Sequence, residues 1–505
     1  MKYILAHDLG TSGDKAVLFT LEGELAAEAS AGYSPSYADG NIVEEEPSDW
    51  WEAFCRSTRE LLESRKVQRS EISCVAFSGQ MNCCLPVDSS GEPLRKAMIW
   101  ADQRAVDEAR RLAAAVDLRD MYAISGHRIG PSYAISKMMW FKEHESDLYK
   151  RTAKFLQAKD YLVFRLTGVM ATDFSDASHV GVFDLVGKHW SKELLGAAGI
   201  DGSLLPEPLP STTVVGTIGD AAARKCGLLV GTPVVIGGGD GCCATAGAGI
   251  WETGHAYSAL GTSAWVATLS TKPIIDPEMR TYNFVHLDGE LFEGCGAMQS
   301  AGLALQWAID SFCQADKDAA EKRGISVYEE LEERVRAVPS GSRGLYFLPY
   351  LLGERSPWWN PEAKACFVGL TPKHGRDEMV RAVMEGVAYN LRSIIEIFCH
   401  ATPLDDFRII GGGARNVAWL DIIADLWKRP LLVLEHLEHA TSIGAALCGG
   451  IGIGAFSDFS SAARMNGVRA KIAPKLKSGT LYDRRYLTFL NIYRALESVA
   501  FVKEE

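Results

Sequence analysis

Short apolar runs broken by glycine dominate the start of the chain. Residues 3–9, 15–20 and 25–30 read as three β-strands, with Gly10, Gly13 and Gly23 supplying the turns. The period then lengthens. Trp51, Phe54, Leu61 and Leu62 recur at helical spacing after Ser48, which is placed to cap the helix, and Asp49 and Glu52 suit its positive end. Residues 72–79 return to strand, and this mixture of meander strands and helices points to an α/β protein.

The middle of the chain repeats the opening pattern. Residues 230–249 join a buried strand to a glycine-rich turn and a helix of very small residues, and residues 255–270 read as two strands around a polar turn. That turn, Leu260-Gly261-Thr262-Ser263, repeats Leu9-Gly10-Thr11-Ser12 about half a chain away. Two similarly built domains follow, 1–250 and 251–505, with the boundary between Gly249 and Gly254. In the second half, residues 300–312 and 378–398 carry helical apolar spacing, and residues 328–338 read as a solvated helix face. Residues 407–434 give strand, glycine turn, helix and strand.

Composition narrows the classes. The chain has 505 residues, 47% hydrophobic and 23% charged, which suits two large soluble domains and excludes disorder. A net charge of -12 argues against a surface built to neutralise nucleic acid. The opening residues form neither a signal peptide nor a membrane span, so a cytoplasmic protein is expected. The twelve cysteines include no C-x-x-C, and reduced, buried thiols are the expectation.

Three segments can carry chemistry. The turn at Asp8 to Gly13 suits a phosphate clasp, because glycines admit close backbone approach, Thr11 and Ser12 add donors, and Asp8 can hold a hydrated Mg²⁺. Gly411 to Ala414 leaves room for a ring or phosphate beside the backbone, with no dinucleotide or P-loop motif to compete. Asp240 follows a buried strand, where α/β sheets expose working residues, and can take the proton of an attacking hydroxyl. Trp358 and Trp359 read as packing, and Glu354 with Arg355 as a loop-pinning ion pair. His286 and His374 are assigned no chemistry.

In order along the chain, DLGTSG (8–13), SGQM (78–81), IWADQR (99–104), KDYL (159–162), GGGD (237–240), LGTS, PYLLGERSP and GGGAR resemble the FGGY family of carbohydrate kinases. The most specific stretch is residues 365–386, ACFVGLTPKHGRDEMVRAVMEG, similar to the family's C-terminal signature. The resemblance implies two actin-like (ribonuclease H-like) ATPase domains flanking a cleft, the N-terminal one for sugar and the C-terminal one for nucleotide. It implies ATP with Mg²⁺ as cofactor, Asp240 as catalytic base and Asp8 near the metal. Thr11, Ser12 and Thr262 match the two phosphate turns, and Gly302, Gln306, Gly412, Gly413 and Asn416 the nucleotide segment. Gln80, Met81, Asn82, Trp100, Asp102, Arg104 and Gly241, with Asp240, fall in the sugar pocket.

The xylulokinase group is the nearest, which makes D-xylulose the expected substrate. Asn82, Gly241 and Ala101 depart from that group's usual histidine, asparagine and asparagine, removing groups that discriminate between hydroxyls. A kinase of another ketose, polyol or sugar acid is the first alternative, and a sugar-independent actin-like or chaperone-like ATPase the second. A homodimer is the candidate assembly; no nucleic-acid or membrane partner is expected.

Overall fold

The computed structural model describes residues 2–475 and 479–501. The chain divides into two compact units: Met1–Trp251 with Leu269–Glu293 and His439–Gly467, and Glu252–Thr268 with Gly294–Glu438 and Val468–Glu505.

The first unit is built on a six-stranded sheet in the order Val214–Thr217, Pro233–Gly239, Ile72–Gly79, Tyr3–Leu9, Gly13–Thr20, Leu25–Gly32. Tyr3–Leu9 pairs antiparallel with Gly13–Thr20 and parallel with Ile72–Gly79, which sets Asp8 opposite both Lys15 and Ser78. Strand alternation sends Leu5, Val75 and Phe77 to one face, where Trp50, Phe54 and Leu61 of helix Pro47–Arg65 complete a core. The opposite face, with Ile4 and Ala76, receives helix Ala440–Gly452.

The second unit repeats this scheme. His255–Leu260 pairs antiparallel with Ala264–Ser270 and parallel with Asp406–Ile410, which is followed by parallel Leu431–Leu434 and antiparallel Val468–Ile472. The order and sense match Tyr3–Leu9 with its hairpin partner, its two parallel neighbours and the antiparallel edge, so the repeated Leu-Gly-Thr-Ser turns occupy equivalent hairpins. Helix Arg376–Ala401 packs on this unit's core, and Trp419 and Trp427 donate their indole N–H groups to its Met384 and Ala388 carbonyls, both at 3.1 Å. This is the actin-like α/β architecture.

Several local expectations need correction. Helix Pro47–Arg65 starts one residue before Ser48, because Pro47 takes the first helical position and Glu46 precedes it, leaving Ser48 inside the helix. No separate turn divides strand Pro233–Gly239 from helix Asp240–Gly247, since the glycines belong to the strand itself. Glu354 holds its loop by accepting from the backbone N–H groups of Gln299 and Arg355 and from Asn390, rather than through an ion pair. Trp358 is a packing residue, stacked on Tyr493 at 3.8 Å. All twelve cysteines are unbridged thiols, and ten are buried.

Candidate active site

Asp240 begins helix Asp240–Gly247 at the C-terminal end of strand Pro233–Gly239. Gly237 has φ of 71°, and a Cβ there would lie 1.8 Å from the Phe77 carbonyl oxygen, so the strand reaches this position only with glycine. The helix then lies against Ala440–Gly452 with almost no side chain between them: a Cβ on Gly444 would come within 2.1 Å of the Cys243 carbonyl oxygen. That contact presents the start of Ala440–Gly452, including Thr441, to the end of strand Tyr3–Leu9.

A buried charge network holds the strand end from beneath. Lys159 Nζ lies 2.8 Å from Asp160, 2.9 Å from Asp173 and 3.1 Å from Asp176, with all four side chains fully buried. Asp173 accepts the Ser175 hydroxyl at 2.5 Å, and Ser175 Oγ in turn accepts the backbone N–H of Gly239 at 2.9 Å. The network therefore ends one residue before Asp240. Its attraction offsets the desolvation of the four ions only while all members stay matched.

Two further carboxylates stand at strand ends of the same sheet, Asp8 near the end of Tyr3–Leu9 and Asp240 directly after Pro233–Gly239. Asp8 Oδ1 accepts from Ser78 Oγ at 2.9 Å and Asp8 Oδ2 from Thr441 Oγ1 at 2.6 Å. Burial raises the Asp8 pKa, against the lowering effect of these two hydroxyls. Asp240 is half-buried, and its Oδ1 accepts the Gly241 N–H at 2.8 Å. Burial, and secondly the Asp8 charge, push its carboxyl up to about 7. A carboxyl poised there releases and recovers a proton near neutrality.

The residues expected around the acceptor gather in the first unit, but with distinct tasks. Gln80 is buried and donates its amide to Glu45 Oε2 at 2.7 Å. Burial pushes the Glu45 carboxyl up to about 7. Met81 packs against Gly239, where an added Cβ would sit 2.6 Å from its side chain. Trp100 is 48% exposed and donates its indole N–H to Thr11 Oγ1 at 2.8 Å. The Thr11 hydroxyl lies 3.5 Å from Gln80 Oε1, so this side chain joins the acceptor group, while Ser12 stays exposed. Asn82, at φ of 63°, turns its Oδ1 to the Ala134 N–H, 2.7 Å away. Asp102 accepts from the Val43 N–H at 2.8 Å and from Arg104 at 2.7 Å, and Arg104 also donates to Glu44 at 2.6 Å. Gly241 follows Asp240 on the helix.

The second unit contains a cavity of about 790 Å³. Thr262, Gly302, Gln306, Gly412, Gly413 and Asn416, six residues expected at the nucleotide, all line it. Asn416 also caps helix Val417–Trp427 through the Trp419 N–H at 3.0 Å. Gln306 is held at both ends, donating to Asp310 at 3.0 Å and accepting the Tyr328 hydroxyl at 2.7 Å. Helix Val327–Ala337 is thus not merely a solvated face, because Tyr328, Glu329 and Glu332 line the cavity. A Cβ on Gly412 would meet no atom within 4 Å. Gly412→Leu should therefore leave the thermal midpoint near wild type yet raise KM for ATP at least about tenfold, since one such side chain occludes a ligand worth several contacts. An unchanged KM would remove Gly412 from the nucleotide site.

The FGGY family of carbohydrate kinases matches at residues 3–247 with its N-terminal domain and at residues 256–453 with its C-terminal domain. The chain belongs to this family. A xylulose kinase of Bacillus subtilis is 32% identical over 98% of this chain and 97% of its own length. A gluconokinase of the same organism is 30% identical over 98% and 96%. The solved structure of a ligand-bound xylulose kinase from Lactobacillus acidophilus superposes with a TM-score of 0.90 at 26% identity, covering 99% of both chains. As an FGGY kinase this protein is a phosphotransferase with an alcohol group as acceptor.

Sequence reasoning missed several residues that the structure brings to this candidate site. Thr441 reaches Asp8 from 433 positions away, and its only local signal is that it opens a run of small residues, ATSIGAALCGG. Ser78 stood inside the SGQM motif, two residues before Gln80, and its register opposite Asp8 follows once the two strands are paired in parallel. Glu45 was hidden in an acidic run of three glutamates. Tyr328 lay in a stretch whose charge pattern suggested only solvent.

Proposed function

We propose that this kinase transfers the γ-phosphoryl group of ATP to a hydroxyl of a neutral ketose, D-xylulose first, with Asp240 as the general base. The observation that carries the reading is Asp240 at a strand end, directly after the Gly239 that Met81 packs against, with the Asp8 charge helping to raise its pKa. Asp240 takes the proton of the acceptor hydroxyl as that oxygen bonds to the γ-phosphorus. The bond from phosphorus to the β–γ bridging oxygen breaks, ADP leaves, and Asp240 returns the proton to water. Thr262, Gly302, Gly412, Gly413 and Asn416 hold the nucleotide, with Gln306 orienting Tyr328 at its edge. Thr11 and Ser12 form the second phosphate turn, through their backbone N–H groups and the exposed Ser12 hydroxyl.

Asp8 fits Mg²⁺: it is a hard carboxylate, fixed by two hydroxyls, next to a second carboxylate where added positive charge is favoured. When bound with ATP, Mg²⁺ supplies charge neutralisation on the phosphates. Use of ATP ties the proposed activity to the cytoplasm, and no helix among the described residues is long and apolar enough to cross a membrane.

Charge bookkeeping favours a ketose over a sugar acid. Arg104, the one cation among the proposed acceptor residues, is already ion-paired with both Asp102 and Glu44. Buried Lys137 is spent on the carbonyls of Asn82 and Ile99, each at 2.7 Å. A gluconate carboxylate would meet no uncommitted cation among these residues. ADP formation with D-xylulose, other pentuloses and hexuloses, polyols and gluconate tests this directly. D-xylulose should give the highest kcat/KM; gluconate giving it instead would reassign the substrate and leave the chemistry standing.

The Asp240 assignment also fixes a pH dependence. The working form is the carboxylate, and its proton is held up to about 7, so kcat/KM for sugar should fall as pH drops through 7. The expected slope is about tenfold per pH unit below that value, flattening above it. A profile flat from about pH 5 to 8 would assign the base elsewhere.

A further inference from the structure

A second concave site lies on the first unit, where helices Pro47–Arg65, Ala158–Thr167 and Asp220–Cys226 enclose a groove of about 570 Å³. It shares no lining residue with the acceptor group or the nucleotide cavity. Arg56, Arg59, Arg165, Arg224 and Lys225 line it, against a single acid, Glu52. None of the five cations is ion-paired with a carboxylate among the described residues, although arginines elsewhere, such as Arg95, Arg280 and Arg392, each find one. In a chain of net charge -12, the convergence of five uncompensated cations costs repulsion that an anion would relieve.

Three of the four arginines are also held in place. Arg165 donates to the Tyr161 hydroxyl at 2.7 Å and lies over the Trp51 ring, 4.8 Å from its centre. Arg59 donates Nε to the Cys55 carbonyl at 3.1 Å, and Arg56 donates Nη2 to the Gly32 carbonyl at 2.8 Å. Each of these three guanidinium groups is anchored through one N–H and keeps its others without a protein acceptor among the described residues. Such anchoring lowers the ordering cost of binding, and planar guanidinium forks match phosphate oxygens.

We propose that this groove binds a small molecule carrying two or more phosphate groups. About -2 per phosphate monoester balances a local excess of four positive charges. The concave shape and volume suit a small molecule rather than a bilayer or a nucleic-acid strand.

The test is calorimetric titration of the full chain with tripolyphosphate at fixed ionic strength. Wild type should show two components, one of them from the nucleotide cavity. The triple variant Arg59→Ala, Arg224→Ala, Lys225→Ala, all exposed positions, should lose one component or weaken it at least about tenfold while keeping the other and its basal turnover. Arg165→Lys should weaken the same component less, because charge is kept and the fork is lost. Asp240→Asn should retain both components, so a failure of the kinase reading would be seen separately from a failure here. Identical titrations of wild type and triple variant would overturn the proposal. So would equal binding of sulfate at the same ionic strength, or binding to anionic phosphatidylserine vesicles without any tripolyphosphate component.

Discussion

Asp240→Asn should lower kcat at least about a hundredfold while leaving ATP affinity near normal. The substitution keeps the size of the side chain and an oxygen able to accept the Gly241 N–H, so the helix start survives. What it removes is the site for the proton of the attacking hydroxyl. General-base catalysis contributes about 10² to 10⁴ in rate, and the remaining acceleration comes from holding the two substrates in register. The cavity proposed for the nucleotide lies in the second unit, and Asp240 does not line it. Steady-state kinetics paired with nucleotide titration separates the two effects. Turnover near wild type would reject Asp240 as the base, and an equal loss of ATP affinity would make it a structural residue instead.

Lys159→Met should cost about 3–5 kcal/mol of stability, a larger effect than most single substitutions produce. Removing the ammonium leaves Asp160, Asp173 and Asp176 buried with no cation among them. The apolar replacement fills the space, so loss of charge pairing rather than a cavity is what the experiment reads. Adding Asp176→Asn to Lys159→Met should recover part of the loss, because one repelling carboxylate is removed. Chemical denaturation of the three proteins measures this. If Lys159→Met unfolds within about 1 kcal/mol of wild type, the network is not what supports the strand end at Gly239.

Much of this architecture was legible in the sequence because its signals are local. The strands at residues 3–9, 15–20 and 255–270 announce themselves through apolar runs between glycine turns. The repeated Leu-Gly-Thr-Ser turns correctly pointed to two sheets of the same plan, since both occupy a hairpin next to a parallel strand. Of the six residues expected at the nucleotide, five sit at a glycine turn or a helix start and Gln306 lies one turn into helix Gly302–Phe312, so local signals brought them to one cavity. What stayed hidden depends on pairing between distant segments. The run of small residues around Thr441 does not say which helix Gly444 lets approach, and so hides the contact with Cys243 and the bond to Asp8. Asp102 and Arg104 were legible as members of one motif, but not their ion pair with each other or the way Val43 and Glu44 occupy them. Helix Val327–Ala337 misled because its charges satisfy a solvent-facing pattern while Tyr328, Glu329 and Glu332 border the cavity.

The most direct check of the account is coupling between nucleotide and acceptor. Purified protein, ATP and Mg²⁺ should release ADP only when D-xylulose is added, with one sugar phosphate ester formed for each ADP. ADP released at the same rate without any sugar, and no phosphate ester formed, would contradict a phosphoryl transfer in which the acceptor hydroxyl gives its proton to Asp240.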